Sequence, residues 1–160
     1  MNFTPKEESL LKELRSQERL CVEKYGRYAE SAHDQCLKDL FGGIRQTETR
    51  HLQTLDQLSS GSLPQMQAQQ SQQGQQPRQS QPQHQSAGNH PAKNSPEWQQ
   101  DSFLYSDALT MEKHVSGLYD TSIFEFSDPA VRQALNHIQS EEQGHGESIY
   151  SYMHQNGMYS

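Results

Sequence analysis

The chain has 160 residues, a formal net charge of −7 and 31% hydrophobic residues, which allows one domain with a core of moderate size. Its thirteen Lys and Arg residues form no basic stripe, which argues against nucleic acid as a partner, because neutralising phosphates requires clustered positive charge. No window reaches the length of a membrane span, and the N-terminal stretch lacks the pattern of a signal peptide, so we expect synthesis in the cytoplasm.

The first half of the chain predicts two amphipathic helices joined by a short turn. The first opens at Thr4-Pro5 and runs to about residue 33, and Asp34 caps a second that runs to about residue 59. The stripe of the first helix consists of Leu11, Leu14, Glu18, Val22, Tyr25, Ala29 and Ala32, and that of the second consists of Leu37, Leu40, Phe41, Ile44, Leu55 and Leu58. Residues 5–59 are therefore expected to form a helical hairpin.

Residues 60–95 have a different composition, rich in Gln, Ser and Pro and without an acidic residue. Such a segment cannot bury enough apolar surface to offset the entropy lost on ordering. It is predicted to be a disordered linker. A passive tether is the first interpretation, and Gln-driven self-association is the alternative.

The second half, residues 96–157, predicts another helical hairpin. Its first helix opens at Ser95-Pro96, and its second opens at Asp128-Pro129 and ends near Gly157. The apolar stripes consist of Leu104, Ala108, Met111, Val115, Leu118 and Tyr119, then of Val131, Leu135, Ile138, Ile149 and Tyr152. The whole chain is thus expected to be one all-α domain.

The second hairpin repeats the first at a fixed offset of 94 residues. Glu112 minus Glu18, Glu142 minus Glu48, His145 minus His51, Tyr119 minus Tyr25, Asp128 minus Asp34 and Ile138 minus Ile44 all give 94. Two such hairpins bury their stripes best by packing about a pseudo-twofold axis, which makes a four-helix bundle. The linker must then cross the bundle, about 40 Å for helices of roughly 26 residues.

Six polar residues interrupt the apolar stripes at equivalent positions. They are Glu18, Glu48, His51, Glu112, Glu142 and His145. The pseudo-twofold axis would bring them to one level inside the bundle, where four carboxylates without positive charge would repel and would be costly to desolvate. Two divalent cations remove that objection, and an oxygen-rich set with one imidazole per ion suits iron or manganese. We therefore predict a di-metal site.

This ligand pattern resembles that of the ferritin-like superfamily in its di-metal carboxylate form, with one Glu from each of two helices and Glu-x-x-His from the other two. The stretch from Glu18 to Tyr25, followed by Glu48 and His51, is similar to rubrerythrin. The alternatives are an inherited but empty site, or side chains that face solvent or a partner chain. No Cys-x-x-Cys pair is present for the extra iron site of a full rubrerythrin.

The second half also resembles the Coat F domain of bacterial spore coat proteins. The resemblance lies in the segments LYDT and DPAVRQAL, in EE-x-x-H and in the Gly-aromatic end, where Gly157-Met158-Tyr159 departs from the more usual Gly-Trp-Tyr. The first half looks like a diverged copy. The resemblance implies sporulation, synthesis in the mother-cell cytoplasm and deposition in the spore coat, with other coat proteins as partners and a homodimer as an option.

Two functions from different classes remain open at this stage. One is a structural or accessory coat protein with a di-metal centre. The other is a redox enzyme in which two metals react with peroxide or oxygen, as the resemblance to rubrerythrin and manganese catalase would allow. Simple iron storage fits less well, because no cage-forming surface of ferritins is recognisable.

Tyr25 and Tyr119 are expected to fill the core, and the alternative is that they form a hydrogen bond to a ligand or carry a radical. Cys21 and Cys36 lie at different heights in the predicted hairpin and are not expected to form a disulfide. Glu141 is expected to be solvated. Its neighbour in the same helix, Glu147, is the candidate outer partner of a ligand.

Overall fold

The computed structural model describes residues 2–64 and 90–158, which form four helices and no strand. The helices are α1 (Pro5–Ser31), α2 (Gln35–Ser59), α3 (Pro96–Ile123) and α4 (Pro129–Gln155). The prediction of an all-α four-helix bundle is confirmed. Residues 65–89, which make up most of the predicted linker, lie outside the described residues. Within the described ranges, none of the helices combines the length and apolarity needed to cross a bilayer.

Each helix begins where its capping residue predicts. The side chains of Thr4, Asp34, Ser95 and Asp128 accept hydrogen bonds from backbone N–H groups in the first turns of the helices. Proline opens α1, α3 and α4, where its missing N–H costs nothing. The first helix ends at Ser31, slightly earlier than predicted, because Ala32 is extended with φ −62° and ψ 147°.

The helices pack as two hairpins, α1 on α2 and α3 on α4, which meet through α1–α3 and α2–α4 contacts. The core follows the predicted stripes, although Leu40 on α2 and Leu118 on α3 are only partly buried and the buried face of α1 is shifted. There Cys21 and Tyr28 are buried, whereas Val22 and Ala29 are only half-buried. The buried face of α1 is therefore rotated slightly about the helix axis from the predicted face. Cys21 and Cys36 are free thiols, as expected.

Each hairpin caps the turn of the other through one buried acid. Asp101 on α3 accepts hydrogen bonds from the backbone N–H groups of His33 (2.8 Å) and Asp34 (2.9 Å) in the α1–α2 turn. Glu7 on α1 accepts one from the backbone N–H of Ser127 (2.9 Å) in the α3–α4 turn. Asp101 minus Glu7 and Ser127 minus His33 both give 94, so the bonds obey the internal repeat.

These two contacts fix the direction of the chain. The start of α3 lies at the α1–α2 turn, and the start of α1 lies at the α3–α4 turn. Hence α2 ends at the opposite end of the bundle from the start of α3. The connection between them has to bridge about 37 Å, the length of a 25-residue helix.

Candidate metal centre

Six polar side chains converge in the middle of the bundle. They are Glu18 from α1, Glu48 and His51 from α2, Glu112 from α3, and Glu142 and His145 from α4. None exposes more than 8% of its surface. In α2 and in α4 the Glu-x-x-His spacing places both side chains on one face of the helix. The structure therefore brings together all six residues that the sequence singles out.

The six residues form two overlapping sets of four. The first position consists of Glu18, Glu48, His51 and Glu142, and the second position consists of Glu48, Glu112, Glu142 and His145. In each set the candidate ligand atoms lie within 4.8 Å of one another. Glu48 and Glu142 belong to both sets. Cys21, one turn from Glu18, contributes no atom to either.

Both imidazoles turn Nδ1 towards the carboxylates. Nδ1 of His51 lies 2.9 Å from Oε1 of Glu142 and 3.3 Å from Oε2 of Glu48. Nδ1 of His145 lies 3.1 Å from Oε1 of Glu48 and 3.6 Å from Oε2 of Glu112. The two rings stack with centroids 5.8 Å apart. Each histidine therefore faces a carboxylate of the opposite hairpin.

Although nitrogen and oxygen atoms of the cluster approach as close as 2.9 Å, many of them do not meet in hydrogen-bond geometry. Among the described residues, the buried side-chain atoms without a hydrogen-bond partner are Oε2 of Glu18, both Oε atoms of Glu48 and of Glu142, Oε2 of Glu112, Nδ1 of His51 and of His145, and Oγ of Ser102. All but the last belong to the cluster. Because buried polar groups are nearly always paired, this concentration of lone pairs in two sets fits cations.

Two tyrosines contact the outer oxygens of two carboxyl groups of the cluster. The hydroxyl of Tyr25 on α1 donates to Oε1 of Glu112 on α3, and the hydroxyl of Tyr119 on α3 donates to Oε1 of Glu18 on α1. Each bond leaves Oε2 of its carboxylate directed into the cluster. The tyrosines are fully buried as expected, and each also forms a hydrogen bond to a candidate ligand.

The expectation that Glu141 is solvated is wrong. Its Oε2 lies 2.9 Å from Nε2 of His51, on the outer side of the ring. The side chain of Glu141 is one-third exposed, whereas Glu147, the expected outer partner, is exposed on α4. A carboxylate on the outer nitrogen fixes the tautomer and orientation of a ligating imidazole. Glu141, which directly precedes the candidate ligand Glu142, thus reaches His51 on α2.

Burial determines the charge of the carboxyl groups on α1 and α3. It raises the pKa of Glu18 well above its ordinary value, and it raises the pKa of Glu112 to about 8. Burial also acts to raise the pKa of Glu48 and Glu142, but the neighbouring histidines outweigh it and lower both. Burial therefore favours the protonated form of Glu18 and Glu112, whereas the histidines favour the charged form of Glu48 and Glu142.

Both histidines hold their protons strongly. Burial acts to lower the pKa of His51, but the carboxyl groups of Glu141 and Glu142 outweigh it and raise the pKa to about 12. Burial opposes protonation of His145 too, and Glu112 and Glu142 raise its pKa to about 11. Two divalent ions with four carboxylates and neutral imidazoles would sum to zero charge.

Comparisons with known proteins fit this architecture. Residues 100–160 match the Coat F domain. The fold is similar to the crystal structure of a two-domain protein from Anabaena variabilis ATCC 29413 with DJ-1/ThiJ/PfpI-like and ferritin-like domains, at a TM-score of 0.68 and 16% identity. That match covers 96% of this chain and 37% of the other, and it shows a ferritin-like fold. No curated protein matches the chain.

Proposed function

We propose that this chain is a spore coat protein whose ferritin-like bundle binds two divalent ions, iron or manganese. The observation that carries the metal site is the set of unpartnered nitrogen and oxygen atoms that converge in the core. The Coat F match at residues 100–160 supports the place of action, the spore coat, with other coat proteins as partners.

The donor atoms of the cluster suit this role. Glu18 and His51 would serve the first position, Glu112 and His145 would serve the second, and Glu48 and Glu142 would be shared. The set offers one nitrogen per position and otherwise oxygen, which favours iron or manganese over a thiolate-bound metal. Such ions, when bound, supply redox and Lewis-acid chemistry. The protein keeps them away from bulk water and orients the carboxylates through tyrosine hydroxyls.

A redox enzyme that acts on peroxide or oxygen is the second candidate function. The contacts of Tyr25 and Tyr119 with the ligand carboxylates favour it, because a phenol can give up an electron and a proton close to the metals. Because all six candidate ligands are buried, only small molecules would reach the metal ions. In this alternative the tyrosines hold and move protons at Oε1 of Glu112 and Glu18.

Elemental analysis of the purified chain tests the metal site. We expect two iron or manganese ions per chain, and we expect Glu48→Ala and Glu142→Ala to lose both, because each carboxylate belongs to both positions. Glu147→Ala, which changes an exposed acid of α4, is the control and should retain both ions. A folded wild-type protein that takes up neither metal would exclude the site.

Two further measurements separate the two functions. Antibody labelling of spore sections should place the protein in the coat, and its absence from the coat would contradict the first proposal. Peroxide turnover by the manganese-loaded or iron-loaded protein, abolished in Glu48→Ala, would favour the enzyme. A loaded protein without turnover would leave the coat role alone.

A further inference from the structure

The outer nitrogens of the two histidines have different surroundings. Nε2 of His51 lies 2.9 Å from the carboxylate of Glu141, whereas in the described part of the chain no protein group accepts a hydrogen bond from Nε2 of His145. The side chain of His51 is 2% exposed and that of His145 is 10% exposed. The pseudo-twofold axis relates the inner faces of these rings but not their outer faces.

The internal repeat identifies the residue responsible for this difference. Position 141 minus 94 is position 47, so Thr47 stands on α2 where α4 carries Glu141. The hydroxyl of Thr47 accepts a hydrogen bond from the guanidinium of Arg50 at 2.9 Å, and threonine offers no carboxylate. The second hairpin therefore supplies an anion to His51, and the first hairpin supplies none to His145.

Glu141 is itself held in place by its neighbours. Nε2 of His137, one turn earlier on α4, lies 3.5 Å from Oε2 of Glu141. The equivalent of His137 in the first hairpin is Gly43, since 137 minus 94 is 43. The anchor of His51 thus consists of two side chains, and both are missing at the equivalent place.

We propose that the two metal positions are inequivalent, so that the first position retains its ion while the second releases its ion more readily. This inference rests on the proposed di-metal function. A carboxylate behind a ligating imidazole orients the ring and raises its basicity, and losing such a partner typically costs about 10- to 100-fold in metal affinity. The second position, whose histidine reaches solvent, is the one through which ions and small ligands exchange.

Stepwise removal of Mn²⁺ tests the inequivalence. The manganese-loaded protein is titrated with a chelator, and the ions retained per chain are counted by elemental analysis. We expect two steps, separated by about 10- to 100-fold in free chelator. Glu112→Gln should remove the weaker step and keep the stronger, whereas Glu18→Gln should remove the stronger, which assigns each step to its position.

Two variants then change the residues behind the outer nitrogens of His51 and His145. Glu141→Gln should shift the tighter step towards the weaker, and Thr47→Glu should tighten the weaker step by giving His145 a carboxylate. Glu147→Gln, an exposed acid on the same helix, should change neither step. If Glu141→Gln fails to fold, Thr47→Glu alone decides, because it adds a partner without removing one.

The outcomes separate this inference from the proposed function. Two ions released in a single step, unchanged by Glu141→Gln and Thr47→Glu, would overturn the inequivalence and leave the di-metal site standing. A folded protein that binds no Mn²⁺ and no iron would overturn both.

Discussion

The two hairpins are alike where they face each other and different where they face outward. The six candidate ligands occur in both halves at equivalent positions. So do Tyr25 and Tyr119, the crossed tyrosines, each of which contacts a carboxyl group of the other hairpin. Behind the histidines the halves differ, because the repeat pairs Glu141 with Thr47 and His137 with Gly43. The repeat thus keeps the residues of the central cluster and varies those behind the two histidines.

The buried acids at the turns make the same comparison on a smaller scale. Asp101 and Glu7 are equivalent positions with side chains of different length, and each caps the other hairpin. Asp101 accepts from two backbone N–H groups. Glu7 accepts from the backbone N–H and the hydroxyl of Ser127 and also completes the capping box with Thr4. One role is therefore filled by two different arrangements.

The largest expected effect is a pH dependence of the protein without bound ions. The pKa of Glu112 rises from 4.5 to about 8, and those of His51 and His145 rise from 6.5 to about 12 and 11. The folded state then holds protons that the unfolded state has lost. This stabilisation is complete below the unfolded pKa values and declines as pH rises through the folded ones, by up to about 1.4 kcal/mol per pH unit and proton.

Urea unfolding between pH 6 and pH 9 measures that effect. We expect the free energy of unfolding of the metal-free protein to fall over this range, and the extra stability conferred by Mn²⁺ to grow. Metal binding should also release protons from both hairpins, because cations displace them from the histidines and from the carboxyl groups whose pKa burial raises. Metal-free stability that is flat or rises with pH would contradict the direction of these pKa shifts.

A smaller effect on stability is expected at Asp101 and Glu7, the acidic residues that cap the turns. Asp101→Asn should lower the free energy of unfolding by about 1–3 kcal/mol, and Glu7→Gln should also lower it, because each weakens hydrogen bonds to backbone N–H groups in a turn. Asp101→Asn should cost more, since that side chain is fully buried and serves two N–H groups. Denaturant unfolding at pH 6 measures both. Glu8→Gln, an exposed neighbour, should change less than about 0.5 kcal/mol, and a comparable loss there would refute the assignment.

The smallest effect is expected at the crossed tyrosines. Tyr25→Phe and Tyr119→Phe should each cost about 1 kcal/mol, because each removes one hydroxyl donor from a buried carboxyl oxygen. Urea unfolding measures the loss, and the two variants should agree within about 0.5 kcal/mol if the halves are equivalent. The hydroxyl of Tyr28 contacts the partly exposed Asp107, so Tyr28→Phe is the control for removing a tyrosine hydroxyl outside the cluster.

Most of the fold was predictable from local chemistry. Capping residues determine where the helices begin, and stripes at 3.6-residue spacing determine which faces are buried. The offset of 94 residues identifies equivalent positions in the two hairpins, and it therefore predicts how the hairpins pack on each other. From that relation the sequence could place Glu18 and Glu112 at the level of both Glu-x-x-His pairs.

Contacts between the hairpins were harder to predict. Whether Glu141 meets solvent or His51 depends on how α4 is rotated and raised against α2, and helical periodicity does not report the register between helices. The same register decides that Tyr25 reaches Glu112 rather than a carboxylate of its own hairpin. The equality of 101 minus 7 and 127 minus 33 was available in the sequence, but the bonds required the tertiary arrangement.

The crossing of the tyrosine bonds has an evolutionary consequence. One hairpin on its own has no donor for its outer carboxylate oxygen and only half of the inner atoms, but two identical hairpins related by a true twofold axis would supply every one of them. An ancestral homodimer of half this length could therefore have built the same centre. In a single chain that contains both hairpins each half can change independently, as the pair of equivalent positions Thr47 and Glu141 illustrates.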